Sequence, residues 1–278
     1  MEKEVCVITG CNSGIGKVLA TSMARQGYEV VMLVRDSEKS VKAFEEIIRE
    51  SKSHVVRLEY VDLSSLKSIN EAVKRITERY NRIDVLINNA GIFNRKLERS
   101  VDGLELTLAI NYFAVYALTN GLMPLIKRTH NARIVNLGSK VQKYGKVLTD
   151  THFETVKYNG MHAYANSKLL VLHFTWLLAD KLQNTSVTVN CVHPGAINSG
   201  IFRDYPKWIQ IILGLFLDTA EDGAESPLML ATSSKIHGVS GKYFDKNQVN
   251  IEATARFLKT NSQEIWDQTQ RILNRIRL

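Results

Sequence analysis

Apolar and polar positions follow one another along this chain in blocks that alternate between strand-like and helix-like lengths. Residues 5–9, VCVIT, form a short unbroken apolar run that predicts a buried strand, and the stretch GCNSGIGKVLATSMARQGY after them reads as a tight turn feeding a helix. The alternation repeats. Residues 29–36, EVVMLVRD, carry five consecutive apolar residues from Val30 and predict a second strand, followed by a polar-faced helix over 37–50. A third strand is expected over 53–63, and in the helix after it the apolar residues at 66, 69, 73 and 76 have helical spacing, with Ser64 or Ser65 as cap. RIDVLINNAG at 82–91 supplies a fourth strand and a turn through Asn88, Asn89, Ala90 and Gly91. Four strand–helix units in so short a span predict an α/β fold, a doubly wound parallel sheet with helices on both faces.

The second half continues the theme with longer apolar blocks. A long helix is expected over 104–128, with Asn111 in its middle, then a fifth strand over 132–140 that ends at Ser139. The segment 141–162 is mixed and has no clear period, which suits the wall of a pocket. A helix carrying Tyr164 and Lys168 runs on through LLVLHFTWLLADKL, and SVTVNCVHPGAINSG at 186–200 gives a sixth strand and a Pro-Gly turn. Residues 201–217 are unusually apolar, and 209–217 hold seven strong hydrophobes in nine positions. They suit a core helix, a lid over a greasy ligand or a shallow membrane contact, and a lid spanning about 198–225 is the reading adopted. Another helix over 220–234, a short strand at 241–245 and a C-terminal helix over 261–278 complete the pattern. Neither repeat nor linker divides residues 1–278, so one domain is expected.

Ligands in such a sheet gather beyond the C-terminal strand ends, where Gly10, Arg35, Asp62 and Asn88 all fall. Gly10, Gly14 and Gly16 suit a turn that admits a pyrophosphate to the backbone beside a helix N-terminus, though three glycines also make an ordinary loop. At the end of the second strand, Arg35 stands where an acid would hold ribose hydroxyls, and an arginine there can pair with a 2′-phosphate. NADP(H) is the expected cofactor, the alternative being that Arg35 is one more solvated charge. Asn111 is a poor interior helix residue that either bonds a neighbouring carbonyl or holds a water or lysine in a site. Tyr164 and Lys168 are four residues apart on one helix face, where an ammonium favours a phenolate and predicts a lowered tyrosine pKa. Such pairs also occur on ordinary solvated helices.

Composition narrows the partners. The chain has 278 residues, 45% hydrophobic and 23% charged, with 36 basic against 28 acidic residues for a net charge of +8. The excess is dispersed, without zinc-finger or basic-region spacing, so it argues for a phosphate-bearing small molecule and against nucleic acid. Three unpaired cysteines, Cys6, Cys11 and Cys191, suit a reducing compartment and no metal site. The start MEKEVCVITG runs straight into a strand, which predicts no signal peptide or anchor. No run of 18 apolar residues appears, so a spanning helix is not expected and any membrane contact is peripheral. The expected location is cytoplasmic.

These motifs, in order and over nearly the whole length, resemble the short-chain dehydrogenase/reductase family, most closely its retinol dehydrogenase or retinal reductase branch. TGCNSGIG at 9–16 is similar to the family's TGxxxGIG, NNAG at 88–91 to its adenine-side turn, and HPGAINS at 193–199 to its PGxxxT stretch. The resemblance implies a Rossmann-type single domain. It also implies cofactor contacts from Gly10, Asn12, Ser13, Gly14, Ile15, Gly16, Arg35, Asp62, Leu63, Asn88, Ala90, Gly91, Tyr164, Lys168, Pro194, Gly195, Ile197 and Ser199. Asn111, Ser139, Tyr164 and Lys168 match its catalytic tetrad. By that likeness Ser139 bonds the substrate oxygen, Tyr164 exchanges its proton, Lys168 lowers the tyrosine pKa and holds the ribose, and Asn111 positions backbone and water. LVRD at 33–36, EDGAESPLMLA before GKYF, and Trp266 carry the branch assignment. It implies a lipophilic aldehyde, ketone or alcohol as substrate, with a steroid or other lipid alcohol, or a non-catalytic NADP-binding regulator, as the alternatives. A homodimer through paired helices is also implied. Three departures stand out: an N-terminal anchor of the kind many of these relatives carry is not expected, NYF replaces NHLG after position 110, and Gly138 replaces a serine before Ser139.

Overall fold

The computed structural model describes residues 3–146, 158–195, 219–250 and 259–276. An eight-stranded sheet has the order β3-β2-β1-β4-β5-β6-β7-β8. Strands β1 (Val5–Thr9), β2 (Glu29–Val34), β3 (Val56–Tyr60), β4 (Val85–Asn88), β5 (Arg133–Leu137), β6 (Thr188–His193) and β7 (Tyr243–Asp245) pair in parallel. β8 (Gln248–Val249) returns antiparallel on β7. This last two-residue strand has no signature in an apolar pattern; it follows a turn in which Lys246 takes a φ of 52°.

Helices α1 (Gly14–Arg25), α2 (Glu38–Ser51) and α6 (Ala220–Thr232) bury apolar side chains on one face of the sheet. Helices α3 (Leu66–Arg79), α4 (Leu106–Ile126), α5 (Gly160–Lys181) and α7 (Lys259–Ile276) cover the other. β1 and β2 are buried along nearly their whole length, as strands covered on both sides must be. The sheet is a doubly wound α/β domain of Rossmann type, as the alternating pattern predicts.

Among the described residues, α4 is the one helix long and apolar enough to cross a membrane, and 67% of its most apolar window lies buried inside the fold. Its length serves the core: Leu108, Leu118, Leu122 and Leu125 pack in the same cluster as α3 and α5. The helix begins at Leu106 because the Glu105 carboxylate accepts the free N–H groups of Thr107 and Leu108 at 3.0 and 2.7 Å. Over Ala109–Phe113 it widens into a π-turn. Most of the apolar stretch 198–225 lies outside the described residues; at its end, Thr219 and Asp222 form a capping box that starts α6.

Candidate active site

The strand order reverses between β1 and β4, and the crevice this opens is edged by the two turns the sequence singles out. Gly10 has a φ of +67°, and a Cβ there would lie 2.9 Å from Ala90 Cα. At Gly16 a Cβ would come within 2.4 Å of both the Gly10 carbonyl and Asn89 Nδ2. Glycine is therefore required at both positions. Thr9 Oγ1 accepts hydrogen bonds from the Asn89 and Ala90 N–H groups, each at 3.0 Å, while Asn89 Nδ2 donates to the Thr9 carbonyl at 2.8 Å. Thr9 and Asn89 thus sew the turns together, a role the candidate residues omit although both lie inside the motifs that define them. Asn88 turns inward instead: its Nδ2 donates to Thr119 Oγ1 at 3.0 Å and Asn136 Oδ1 at 2.7 Å, so its side chain braces the strands.

Gly14 begins α1 with Ser13 exposed in the N-cap position, leaving the first N–H groups of a twelve-residue helix at the crevice, while Ile15 is buried in the core. Asn12 Nδ2 donates to Ser40 Oγ at 3.1 Å, and Ser40 Oγ donates to the Arg35 carbonyl at 2.7 Å. That relay joins the glycine turn to the end of β2. Arg35 itself is exposed and makes no ion pair among the described residues. Lys17, by contrast, is spent on Glu46 at 2.8 Å and Glu50 at 3.2 Å. Asp62 is exposed, with Oδ1 accepting from the Ser64 N–H and hydroxyl at 2.9 and 2.7 Å, and Leu63 packs against the core beside it. Pro194 and Gly195 are buried beyond β6, Gly195 with a φ of +113°. Ile197 and Ser199 lie outside the described residues.

The second cluster stands at the ends of β4 and β5. Asn159 caps α5 by accepting from the Met161 and His162 N–H groups, and one turn further Tyr164 and Lys168 come round on a single face. Lys168 is 5% exposed, its Nζ donating to the Leu137 carbonyl at 2.8 Å and lying 5.7 Å from the Tyr164 ring centre. Phe93 meets the same ring edge-on at 5.9 Å. The π-turn in α4 brings Asn111 inward, where Oδ1 accepts from the Ile92 N–H at 2.8 Å and Nδ2 donates to the Ile92 carbonyl at 2.9 Å and Ser167 Oγ at 3.0 Å. A Cβ on Gly91 would lie 3.5 Å from both Asn111 Oδ1 and Lys168 Nζ, which locates their convergence. Ser139, at the start of a 3₁₀ turn over Lys140–Tyr144, has its hydroxyl near enough to the Tyr164 phenol to pull the phenol's pKa down. Asn111, Ser139, Tyr164 and Lys168 are therefore one constellation.

Its electrostatics depart from the expectation of a lysine-lowered phenol. Burial pushes the Tyr164 phenol up to about 12, with the Ser139 hydroxyl pulling the other way. Lys168 is itself drawn down to about 8 by burial, and its ammonium hydrogen bond goes to Leu137. Desolvation outweighs the charge that the spacing suggests.

Two clefts of about 480 and 670 Å³ open elsewhere, at the opposite ends of the strands, near Val5 and Glu29 in one case and Thr188 in the other. Neither reaches Tyr164. The chemistry-bearing groups gather instead at the C-terminal strand ends, and the sequence relationships agree. Residues 4–210 match the family described as short chain dehydrogenase.

This chain belongs to the short-chain dehydrogenase family. It is 33% identical over 276 residues to retinol dehydrogenase 13 of Homo sapiens, covering 96% of this chain and 83% of that protein. It is 35% identical over 269 residues to retinol dehydrogenase 12 of Bos taurus, covering 95% and 84%. The crystal structure of an uncharacterized protein from Mycobacterium paratuberculosis superposes with a TM-score of 0.76 at 26% identity, covering 97% of this chain and 92% of that one. Short-chain dehydrogenase membership makes the chain an oxidoreductase of carbonyl and alcohol groups, of the retinol dehydrogenase-like branch, that uses a nicotinamide dinucleotide. The residues present fit such a cofactor: the cradle at Gly10 and Gly16, which any side chain would fill, leaves backbone open beside the α1 N-terminus.

Proposed function

We propose that this short-chain dehydrogenase is NADP(H)-dependent and interconverts a lipophilic carbonyl, of retinal-like or related kind, with its alcohol. The observation that carries the cofactor choice is Arg35, an exposed cation without an ion pair among the described residues, at the end of β2 and joined to the glycine turn through Ser40 and Asn12. The substrate class rests on the retinol dehydrogenases named above and on the apolar stretch 209–217, read as a lid. The proposed location is cytoplasmic, with at most a shallow membrane contact through that stretch.

When bound, the nicotinamide supplies or takes up the hydride. Gly10, Gly14 and Gly16 with the α1 N–H groups would hold the pyrophosphate, Arg35 the 2′-phosphate, Asp62 and the Ala90–Gly91 turn the adenosine half, and Lys168 the ribose beside the reacting ring. Ser139 Oγ donates to the substrate oxygen and fixes it within reach of Tyr164. The Tyr164 phenol, held protonated at neutral pH by its burial, gives its proton to that oxygen as the carbonyl is reduced. In the reverse direction it must first lose that proton, so alcohol oxidation is expected to rise with pH well into the alkaline range while reduction holds steady through neutrality. Asn111 locks Ile92, and with it the strand-end turn against which Lys168 rests.

The test is a panel of retinal, a steroid ketone, a medium-chain aldehyde and an isoprenoid aldehyde, each with NADPH and NADH, on wild type and Tyr164→Phe. Turnover of the best substrate is expected to fall at least about a hundredfold in the variant. A Tyr164→Phe enzyme that keeps more than half its activity moves the chemistry to another group.

A further inference from the structure

Between the Ala90–Gly91 turn and α4 runs a short segment that the fold pins at two points. Ile92 is bonded through both of its backbone groups to the Asn111 side chain, at 2.8 and 2.9 Å. Asn94 is held from the other side. Its carbonyl lies 3.3 Å from the Tyr158 hydroxyl and abuts Gly160, where a Cβ would collide with that oxygen. Tyr158 is fixed in turn, since its hydroxyl donates to Glu105 Oε1 at 2.9 Å and the fully buried Glu105 carboxylate caps the start of α4.

The residue between the two pins is Phe93. Its ring is only 9% exposed, yet it belongs to neither of the two apolar clusters that fill the faces of the sheet. A large aromatic ordinarily stabilises a fold by joining its core. This one stands at the reacting cluster, with its ring centre 5.9 Å from that of Tyr164 and the two planes at 78°. The backbone that carries it cannot draw back without breaking the bonds at Ile92 and Asn94.

Resting on the reading of Tyr164 as the proton donor, we propose that Phe93 is a specificity-determining residue. It is a rigid aromatic wall of the substrate site that favours a flat, conjugated aldehyde over a saturated one and over a thick, ring-fused ketone. The substrate oxygen has to reach the Tyr164 hydroxyl, so the carbons next to the carbonyl pass beside the ring packed against Tyr164. A planar unsaturated chain lays its π-surface on that wall. A saturated chain forgoes the contact, and the projecting methyl groups of a fused-ring ketone meet a side chain whose backbone does not yield.

The experiment compares wild type, Phe93→Leu, Phe93→Ala and Tyr164→Phe in the full chain. The substrates are retinal, 2-decenal, its saturated counterpart decanal, and a steroid ketone, and retinol binding is titrated separately by fluorescence. Wild type is expected to prefer 2-decenal to decanal. In Phe93→Leu, which keeps an apolar side chain without the ring, kcat/KM for retinal and 2-decenal should fall about tenfold, chiefly through KM, and retinol should bind about tenfold more weakly. Decanal should lose no more than about twofold, and Phe93→Ala, with the wall removed, should gain at least about threefold on the steroid ketone. Should Phe93→Ala fail to fold, the contrast between the two decyl aldehydes in Phe93→Leu decides. Equal losses on both aldehydes, a fall in kcat across all substrates with KM unmoved, unchanged retinol affinity, or a wild type with no preference for the conjugated aldehyde overturns the wall. In the second case Phe93 merely packs Tyr164 in place. An inactive Tyr164→Phe beside any of these results leaves the proton donor standing and removes Phe93 alone, whereas an active Tyr164→Phe removes the proton-donor reading itself.

Discussion

Gly138 shows how one missing side chain organises a site. In the family resemblance it replaces a serine, and the structure gives the physical reason: a Cβ there would drive into Cys191 Sγ at 2.6 Å and touch the Tyr243 ring at 3.1 Å. Small-to-large changes at packed positions cost about 1–3 kcal/mol. Gly138→Ser is therefore expected to lower stability by about that much in urea unfolding, and Gly138→Ser combined with Cys191→Ala to regain part of it. Equal stability of wild type and the single variant would show that the neighbours move aside freely. At this scale the sequence reveals which residues share a face, because spacing on a helix fixes that for Tyr164 and Lys168. It does not reveal their ionisation, because the pKa depends on how completely each is desolvated and on what else bonds the ammonium, here Leu137 from another strand.

Among elements, the strand–turn–helix units were legible because their signals are local: unbroken apolar runs, glycines at strand ends, and a serine cap at Ser65 on α3. The π-turn around Asn111 and the docking of α7 were not, since they depend on partners far along the chain. Tyr112 OH meets Thr269 Oγ1 at 2.6 Å, Trp266 packs edge-on against Tyr116 at 4.8 Å, and His173 Nδ1 bonds Ser262 Oγ at 2.8 Å. These contacts place α7 over the outer faces of α4 and α5. His173 is 6% exposed, lies edge-on to Trp176, and is lowered to about 4 by burial. A base whose folded pKa lies below its unfolded 6.5 takes up its proton more readily when unfolded. Its contribution is thus fully present above pH 6.5 and is lost as pH falls from there toward 4. At about 1.4 kcal/mol per unit this single group makes the fold about 3 kcal/mol less stable over that window. His173→Gln, which keeps a partner for Ser262, is expected to flatten the acid limb of a stability–pH curve measured by denaturant unfolding. An unchanged limb would assign acid sensitivity to other groups.

For the whole molecule, the net charge of +8 is a poor guide to the site. Some of the basic residues are matched by acids: Arg75 and Arg79 pair with Glu59, Arg57 with Glu29, Lys17 with Glu46 and Glu50. What distinguishes the crevice is Arg35, a cation at the right strand end with no ion pair among the described residues, and its role can be measured without any knowledge of the substrate. A ligand that binds only the folded state stabilises it by about 2.7 kcal/mol at a hundred times its Kd. In a chain of this size each kcal/mol raises the midpoint by about 2–4 °C, so saturating NADPH is expected to raise Tm on the order of 5–10 °C. NADH at the same concentration should give a clearly smaller shift. Arg35→Ser should bring the NADPH shift down to the NADH value while leaving the NADH shift as it was, because an ionic bond to the 2′-phosphate is worth about 1.5–3 kcal/mol and the adenosine and pyrophosphate contacts are common to both. Adenosine 2′,5′-bisphosphate, which carries the phosphate but no nicotinamide, should discriminate between wild type and variant in the same way. Equal shifts with the two dinucleotides in the wild type, or a loss in Arg35→Ser that affects both alike, would remove the basis for NADP(H) and make Arg35 one more solvated charge.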